Sequence, residues 1–171
     1  MRTVVLGPMP SELTELVERR RRLGLDLFDE VWSGEYHVVP APNGAHADLD
    51  TQMAVLLQRY GRPRGLIGWG IFNLGEPTDF RVPDRGLVRT ASTDVWHPTA
   101  ALVVEILSPH DESLDKLSFY LDHGVEEVVL VDPAVRKVTW LAATDGTYVE
   151  VDRSTVLDEL TADIAAGIVW P

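Results

Sequence analysis

The sequence predicts a mixed α/β (α+β) fold, a central mixed sheet flanked by helices, and three observations carry that reading. Helical and strand-like patterns alternate along the chain instead of segregating into separate halves. Two stretches, "AALVVEIL" at 100–107 and "EEVVLVD" at 126–132, are near-continuous runs of Val, Ile and Leu, the pattern of strands covered on both faces. Turn signals such as Ser33-Gly34 and "ATDG" separate shorter β-rich runs. With 171 residues and 45% apolar side chains, the chain is expected to form one domain over 1–171, burying roughly two-thirds of its unfolded surface.

Taken in order, Ser11 reads as the N-cap of a first helix, with Glu12 and Glu15 in its first turn, "RRRR" at 19–22 in its last and Gly24 as a stop signal. "LFDEVW" and "EYHVVP" read as a hairpin across Ser33-Gly34. After the "APNG" turn, Leu49, Met53, Leu56, Leu57 and Tyr60 recur at helical spacing, with His46 and Asp50 one turn apart at the start. "LIGWGIFNL" reads as one strand whose glycines permit close backbone approach. "DFRVPDRGLVR" reads as another, carrying a proline that strands tolerate only at edges or bulges. The strand at 100–107 leads through "SPHDES" into a helix "LDKLSFYLDHG" closed by Gly124. "KVTWLA" and "TYVEV" read as hairpin partners, and the tail as short strand-like pieces.

Composition narrows the function classes. There is no cysteine, which excludes a disulfide, a thiolate zinc site and a cysteine nucleophile. The apolar stretch of "MRTVVLGPMP" is too short for a signal peptide and no run approaches a membrane span, so a soluble, cytoplasmic protein is expected. Against 15 Lys and Arg stand 27 Asp and Glu, a formal charge of -12, the wrong sign for non-specific attraction to nucleic acid. The "RRRR" run is most simply explained by the helix dipole.

One residue does not suit its segment. On a strand, Leu102, Val104 and Ile106 share one face and Ala101, Val103, Glu105 and Leu107 the other, so Glu105 places a carboxylate on an otherwise apolar face. An unpaired ion there would cost several kcal/mol. Glu105 could lie at an edge, pair with an arginine, be held protonated, or bind a cation. Asp84, at the proline-marked irregularity one strand earlier, could converge on it, and Lys116, at the start of the next helix beyond His110, Asp111 and Glu112, could swing back over the strand end. Two carboxylates with open positions suit a hard divalent cation such as Mg²⁺, and an ammonium beside them would offset charge growing on phosphorus. Each has a plainer use: Asp84 closing a turn, Lys116 pairing with Glu112, His46 capping or packing. "HAD" at 46–48 spells the H-x-D of iron oxygenases, but it opens a helix and no second histidine is placed with it. Trp69, Trp96, Trp140 and Phe119 read as core or interface aromatics.

"DEVWSGEYHVVPAPNGAH", "NLGEPTDFRVPDRGLV" and "AALVVEILSPHDESLDKLSFYLDHGVEEVVLVDP" together closely resemble the Uma-two family of putative restriction endonucleases, assigned to the PD-(D/E)XK nuclease superfamily. The resemblance runs from about residue 11 to about 165. It implies a restriction-endonuclease-like core, with Asp84 and Glu105 as metal ligands for Mg²⁺ or Mn²⁺. The superfamily's lysine position, two residues after the second acid, is Leu107 here, and Lys116 stands in for it. His46 matches a histidine opening the family's first core helix, a supporting group for catalysis. The expectation is a phosphodiester hydrolase acting on nucleic acid by metal-activated water, and a homodimer. A catalytically idle nuclease-fold binding or dimerisation module, and a metal-dependent hydrolase of a small phosphate ester, are the alternatives. The missing strand lysine and the acidic charge favour the first of these, the acidic surface the second.

Overall fold

A computed structural model describes residues 4–7, 10–109 and 112–171; His110 and Asp111 of the "SPHDES" loop lie outside them. The first third holds β1 (Val4–Leu6), α1 (Ser11–Arg22), β2 (Glu30–Trp32), β3 (Glu35–Val38) and α2 (Gly44–Gly61). The middle holds β4 (Ile67–Trp69), β5 (Asn73–Glu76), β6 (Asp79–Arg81), β7 (Arg85–Val88), β8 (Trp96–His97), β9 (Leu102–Ile106) and α3 (Leu117–Asp122). The last third holds β10 (Glu127–Asp132), β11 (Lys137–Thr144), β12 (Thr147–Glu150), β13 (Arg153–Ser154), β14 (Glu159–Leu160) and α4 (Thr161–Ala165). The class is α+β, as the alternation of patterns predicts.

Two six-stranded mixed sheets, ordered β1-β3-β2-β6-β5-β8 and β12-β11-β10-β9-β7-β4, replace the single sheet expected. The reason lies in two segments that read as continuous strands. "LIGWGIFNL" breaks after Trp69, and "DFRVPDRGLVR" breaks at Val82-Pro83-Asp84, so each delivers one strand to each sheet. Proline cannot donate to a ladder, which makes Pro83 a natural crossing point between sheets. Both predicted hairpins form. Ser33 and Gly34, and again Asp145 and Gly146, have positive φ at the two central positions, the turn whose twist matches the strands.

The second sheet is covered on both faces. Asn43 caps α2 by accepting from the His46 backbone N–H at 3.0 Å. The buried stripe Leu49, Met53, Leu56 and Leu57 then packs on Leu102, Val104 and Ile106 of β9, together with Trp140. Each such side chain contributes about 1.5–3 kcal/mol. On the opposite face, Val103 and Val128 pack with Phe119 and Tyr120 of α3. Glu105 shares that face. β9 and β10 run parallel, with Glu105 opposite Leu130 and Leu102 opposite Glu127.

Three local expectations are corrected. Pro10, not Ser11, occupies the N-cap of α1, and the Ser11 hydroxyl contacts Glu12 instead. The third helix is a single short one, because residues 113–116 form turns and Lys116 sits at its N-cap rather than in its first turn. The tail contains α4 besides its short strands, its Ile164 buried against the α2 side of the core.

Candidate active site

Pro83 ends the crossing between sheets, and Asp84 follows it with its side chain turned onto β9. One Asp84 oxygen accepts the Ile106 N–H at 2.7 Å and the other lies 3.3 Å from His46 Nε2. Helix α2 supplies that imidazole from its first turn. Glu105, 3% exposed, projects from β9 toward α3. Its oxygens accept from Lys116 Nζ at 3.2 Å, from the Ser113 hydroxyl at 3.3 Å and from the Tyr120 hydroxyl in a very short bond. All four residues that the sequence singles out therefore adjoin one small cavity, about 60 Å³, which Asp84, Glu105, His46 and Lys116 line. Glu112 lines it too, but pairs with His37 at 3.1 Å, so the plainer alternative for Lys116, a pair with Glu112, is not the one that forms.

Glu30 completes the cluster, and sequence reasoning passed over it. Lys116 is closest to this group, at 2.8 Å. Glu30 also accepts the Val82 N–H at 2.7 Å and the Trp32 indole N–H at 2.6 Å, fastening β2 to the crossing that carries Asp84. Trp32 in turn lies on a column of stacked groups. Arg81 is sandwiched between the Trp32 and Phe119 rings at 4.3 and 4.0 Å, and His37 and His123 stack on the outer faces of those rings. Glu30 could have been found by the argument applied to Glu105, an acid inside a strand-like run. "FDEVW" is too short for its burial to be evident. Tyr120 carried no signal, since a tyrosine on a helix face reads as core.

Electrostatics follow from crowding. Burial raises the Glu105 pKa to about 7, with Asp84 and Glu30 adding to the rise and Lys116 and Tyr120 opposing it. Burial alone would lower the Lys116 pKa, but Glu105 and Glu30 outweigh it and hold the ammonium charged far above its ordinary range. Tyr120, pushed well upward by burial and by the neighbouring carboxylates, stays a neutral donor. Burial opposes a charged His46, yet Asp84, Asp50 and Glu105 together raise its pKa; its Nδ1 is buried without a hydrogen-bond partner. Three carboxylates thus surround one ammonium.

That donor set is chemically suited to a hard divalent cation, which takes oxygen ligands, keeps several waters and needs only one or two carboxylates. The cavity has room for an ion with a few waters. Asp84 and Glu105 are the carboxylates on the cavity that could hold such an ion; among the described residues no three His, Asp or Glu side chains form a group that could hold one.

Residues 23–170 match the Uma2 family, described as "Putative restriction endonuclease". The chain belongs to that family. No curated protein matches it. In fold, this Uma2 member is similar to the crystal structure of a "putative nuclease belonging to DUF820" from Anabaena variabilis, with a TM-score of 0.67 and 15% identity over 81% of this chain and 90% of that one. The site described above lies within the residues matched to the family. Among the described residues no helix is long and apolar enough to cross a membrane.

Proposed function

We propose that this protein is a metal-dependent endonuclease-like phosphodiester hydrolase of the PD-(D/E)XK type, with Asp84 and Glu105 holding Mg²⁺ or Mn²⁺. The observation that carries the reading is the convergence of Asp84, Glu105 and Lys116 on one cavity at a sheet crossing, in a chain of the putative restriction endonuclease family. A divalent cation there would supply an activated water and a Lewis acid for the phosphoryl oxygen. Lys116, permanently charged and held between Glu30 and Glu105, stabilises negative charge as it accumulates on phosphorus. The Ile106 N–H and His46 fix the orientation of Asp84, which makes His46 a positioning residue. Tyr120 and Ser113 do the same for Glu105.

A specific observation favours a second reading, an idle nuclease fold kept for binding. Both Glu105 oxygens already accept hydrogen bonds from within the protein, and a cation must displace part of that set. One assay separates the two: cleavage of single- and double-stranded DNA and RNA, and of a small phosphate diester, with Mg²⁺ or Mn²⁺ at low salt. Cleavage by wild type and none by Glu105→Gln is expected. Equal rates for both proteins on every substrate would sink the nuclease reading.

A further inference from the structure

A groove of about 980 Å³ shares no lining residue with the candidate catalytic cavity. It runs between the outermost strands of the two sheets, β8 of the first and β4 of the second, each paired on one side only. Trp96 from β8 and Trp69 from β4 line it with Leu27; Leu27 is 62% exposed and Trp96 37%. Open strand edges beside exposed apolar side chains are a surface that folded chains normally cover.

His97 points to a ligand. It lies in the groove wall at 9% exposure, its ring 4.2 Å from that of Trp69, yet among the described residues nothing hydrogen-bonds to its ring nitrogens. Two carboxylates of the lining are similarly open. That of Asp26 has no hydrogen bond or ion pair among the described residues, and that of Asp94 accepts only the Ser92 hydroxyl, at 2.9 Å. Asp29 differs, its oxygens being filled by Arg20, the Tyr36 hydroxyl and the Val39 N–H. Arg21 is the one arginine or lysine in the lining.

Together these groups select a cation. Indole faces and carboxylates attract positive charge, and a neutral imidazole accepts a hydrogen bond from it. The same carboxylates repel a phosphate backbone. The protein itself shows what such a set holds. The Arg81 guanidinium lies 4.3 and 4.0 Å from the centres of the Trp32 and Phe119 rings, and Asp79 accepts from it at 2.8 Å. The groove offers the same kinds of group, and among the described residues no arginine stacks on Trp69 or Trp96. The unpaired strand edges favour an extended segment, which adds its backbone to a sheet while its side chains enter the groove.

We propose that this groove docks an extended, arginine-bearing segment of a partner protein. Its guanidinium groups stack on the indoles of Trp96 and Trp69 and pair with Asp26 and Asp94, and His97 accepts a further N–H. The site is independent of catalysis, and its test does not use activity.

The probe is a fluorescein-labelled peptide of alternating arginine and valine, titrated with the whole chain by fluorescence anisotropy at physiological salt. Saturable binding is expected, weakened about tenfold or more by Trp96→Ala and likewise by Asp26→Asn with Asp94→Asn. Circular dichroism confirms that each variant folds. A peptide with lysine in place of arginine should bind more weakly, because an ammonium has no planar face to stack. Glu15→Gln with Glu18→Gln removes as much charge from a separate recess on α1 and should leave binding unchanged. Absence of binding overturns the proposal. Binding that the groove variants leave unchanged, or that the α1 variant weakens equally, is attraction to the net charge of -12 and overturns it too. Equal affinity for the lysine peptide removes the guanidinium assignment. A single-stranded oligonucleotide that binds wild type and not Trp96→Ala would give the groove to nucleic acid, and dimers that Trp96→Ala dissociates in sedimentation equilibrium would give it to a second copy; either result replaces the proposed partner.

Discussion

Glu105 and Glu127 sit on the adjacent parallel strands β9 and β10, each inside a run of Val, Ile and Leu, and each is essentially buried. Their surroundings could hardly differ more. Glu127 accepts only from neutral donors: the Trp140 indole at 2.7 Å, the Ser154 hydroxyl at 2.6 Å, the Thr155 hydroxyl at 2.9 Å and the backbone N–H groups of Thr155 and Val156 at 2.7 and 3.1 Å. It fastens the tail to the sheet and adjoins no cavity among those described for the site. Glu105 has a cation, two other carboxylates and a cavity for company. A buried strand carboxylate is thus a structural clamp when its donors are neutral and saturating, and a candidate site when it is crowded by charge beside open space.

The largest effect should separate the two glutamates. Glu105→Gln is expected to fold and to lose at least about 10³-fold of metal-dependent cleavage, whereas Glu127→Gln should keep its cleavage per folded molecule. The second substitution turns an amide N–H toward buried donors and should cost about 3 kcal/mol in urea unfolding. If the two variants exchange these phenotypes, the distinction drawn from their partners is wrong.

Lys116→Met tests the ammonium. Turnover should fall about 10²- to 10³-fold with nucleic-acid binding nearly unchanged, the pattern of a group that acts only in the transition state. A mere phosphate anchor would instead weaken binding and flatten its salt dependence. The substitution also leaves Glu30 and Glu105 facing each other without a counter-ion, so its melting temperature should fall more at pH 8 than at pH 5.

A smaller effect is expected from Mg²⁺ itself. Excess Mg²⁺ at a hundredfold of its Kd should stabilise wild type by about 2.7 kcal/mol in calorimetry, and Glu105→Gln far less. Equal shifts in the two proteins would remove Glu105 from the ligand set.

The sequence carried the fold class, and it singled out four residues that the structure brings to one cavity. Asp84, Glu105, Lys116 and His46 were legible because a carboxylate inside an apolar strand and an acid after a proline break local rules, and the family resemblance aligned them. Tyr120 was not, because a tyrosine on a helix face reads as core even with its partner Glu105 only 15 positions back. Glu30 was not, because its place in the site comes from Lys116, 86 positions away on an element whose approach no local pattern encodes. The same is true of the two sheets. A strand that changes sheets at Pro83 has the same alternation as one that continues, and only the neighbours on each side tell them apart.

The smallest expected effect is the pH dependence of stability without divalent ions, and it also turns on the difference between the two glutamates. The Glu105 carboxyl, ordinarily near 4.5, titrates at about 7 in the folded protein because it is buried beside Asp84 and Glu30. Between those values the folded state holds the proton and the unfolded chain has released it. Folding therefore binds a proton, and stability falls as pH rises through this window, by at most about 1.4 kcal/mol per pH unit for one group. Near pH 7 that amounts to a few degrees in melting temperature per unit. His46, its pKa raised by its acidic neighbours, adds a loss of the same sign above its ordinary value, so the informative quantity is the difference between proteins. Glu105→Gln should flatten the slope between pH 5 and 7, because a neutral amide has no proton to lose, and should leave the variant the more stable of the two at pH 8. Wild type and Glu105→Gln melting with parallel slopes would show that Glu105 takes up no proton on folding, and the charge crowding that marks it as the candidate site would go with that result.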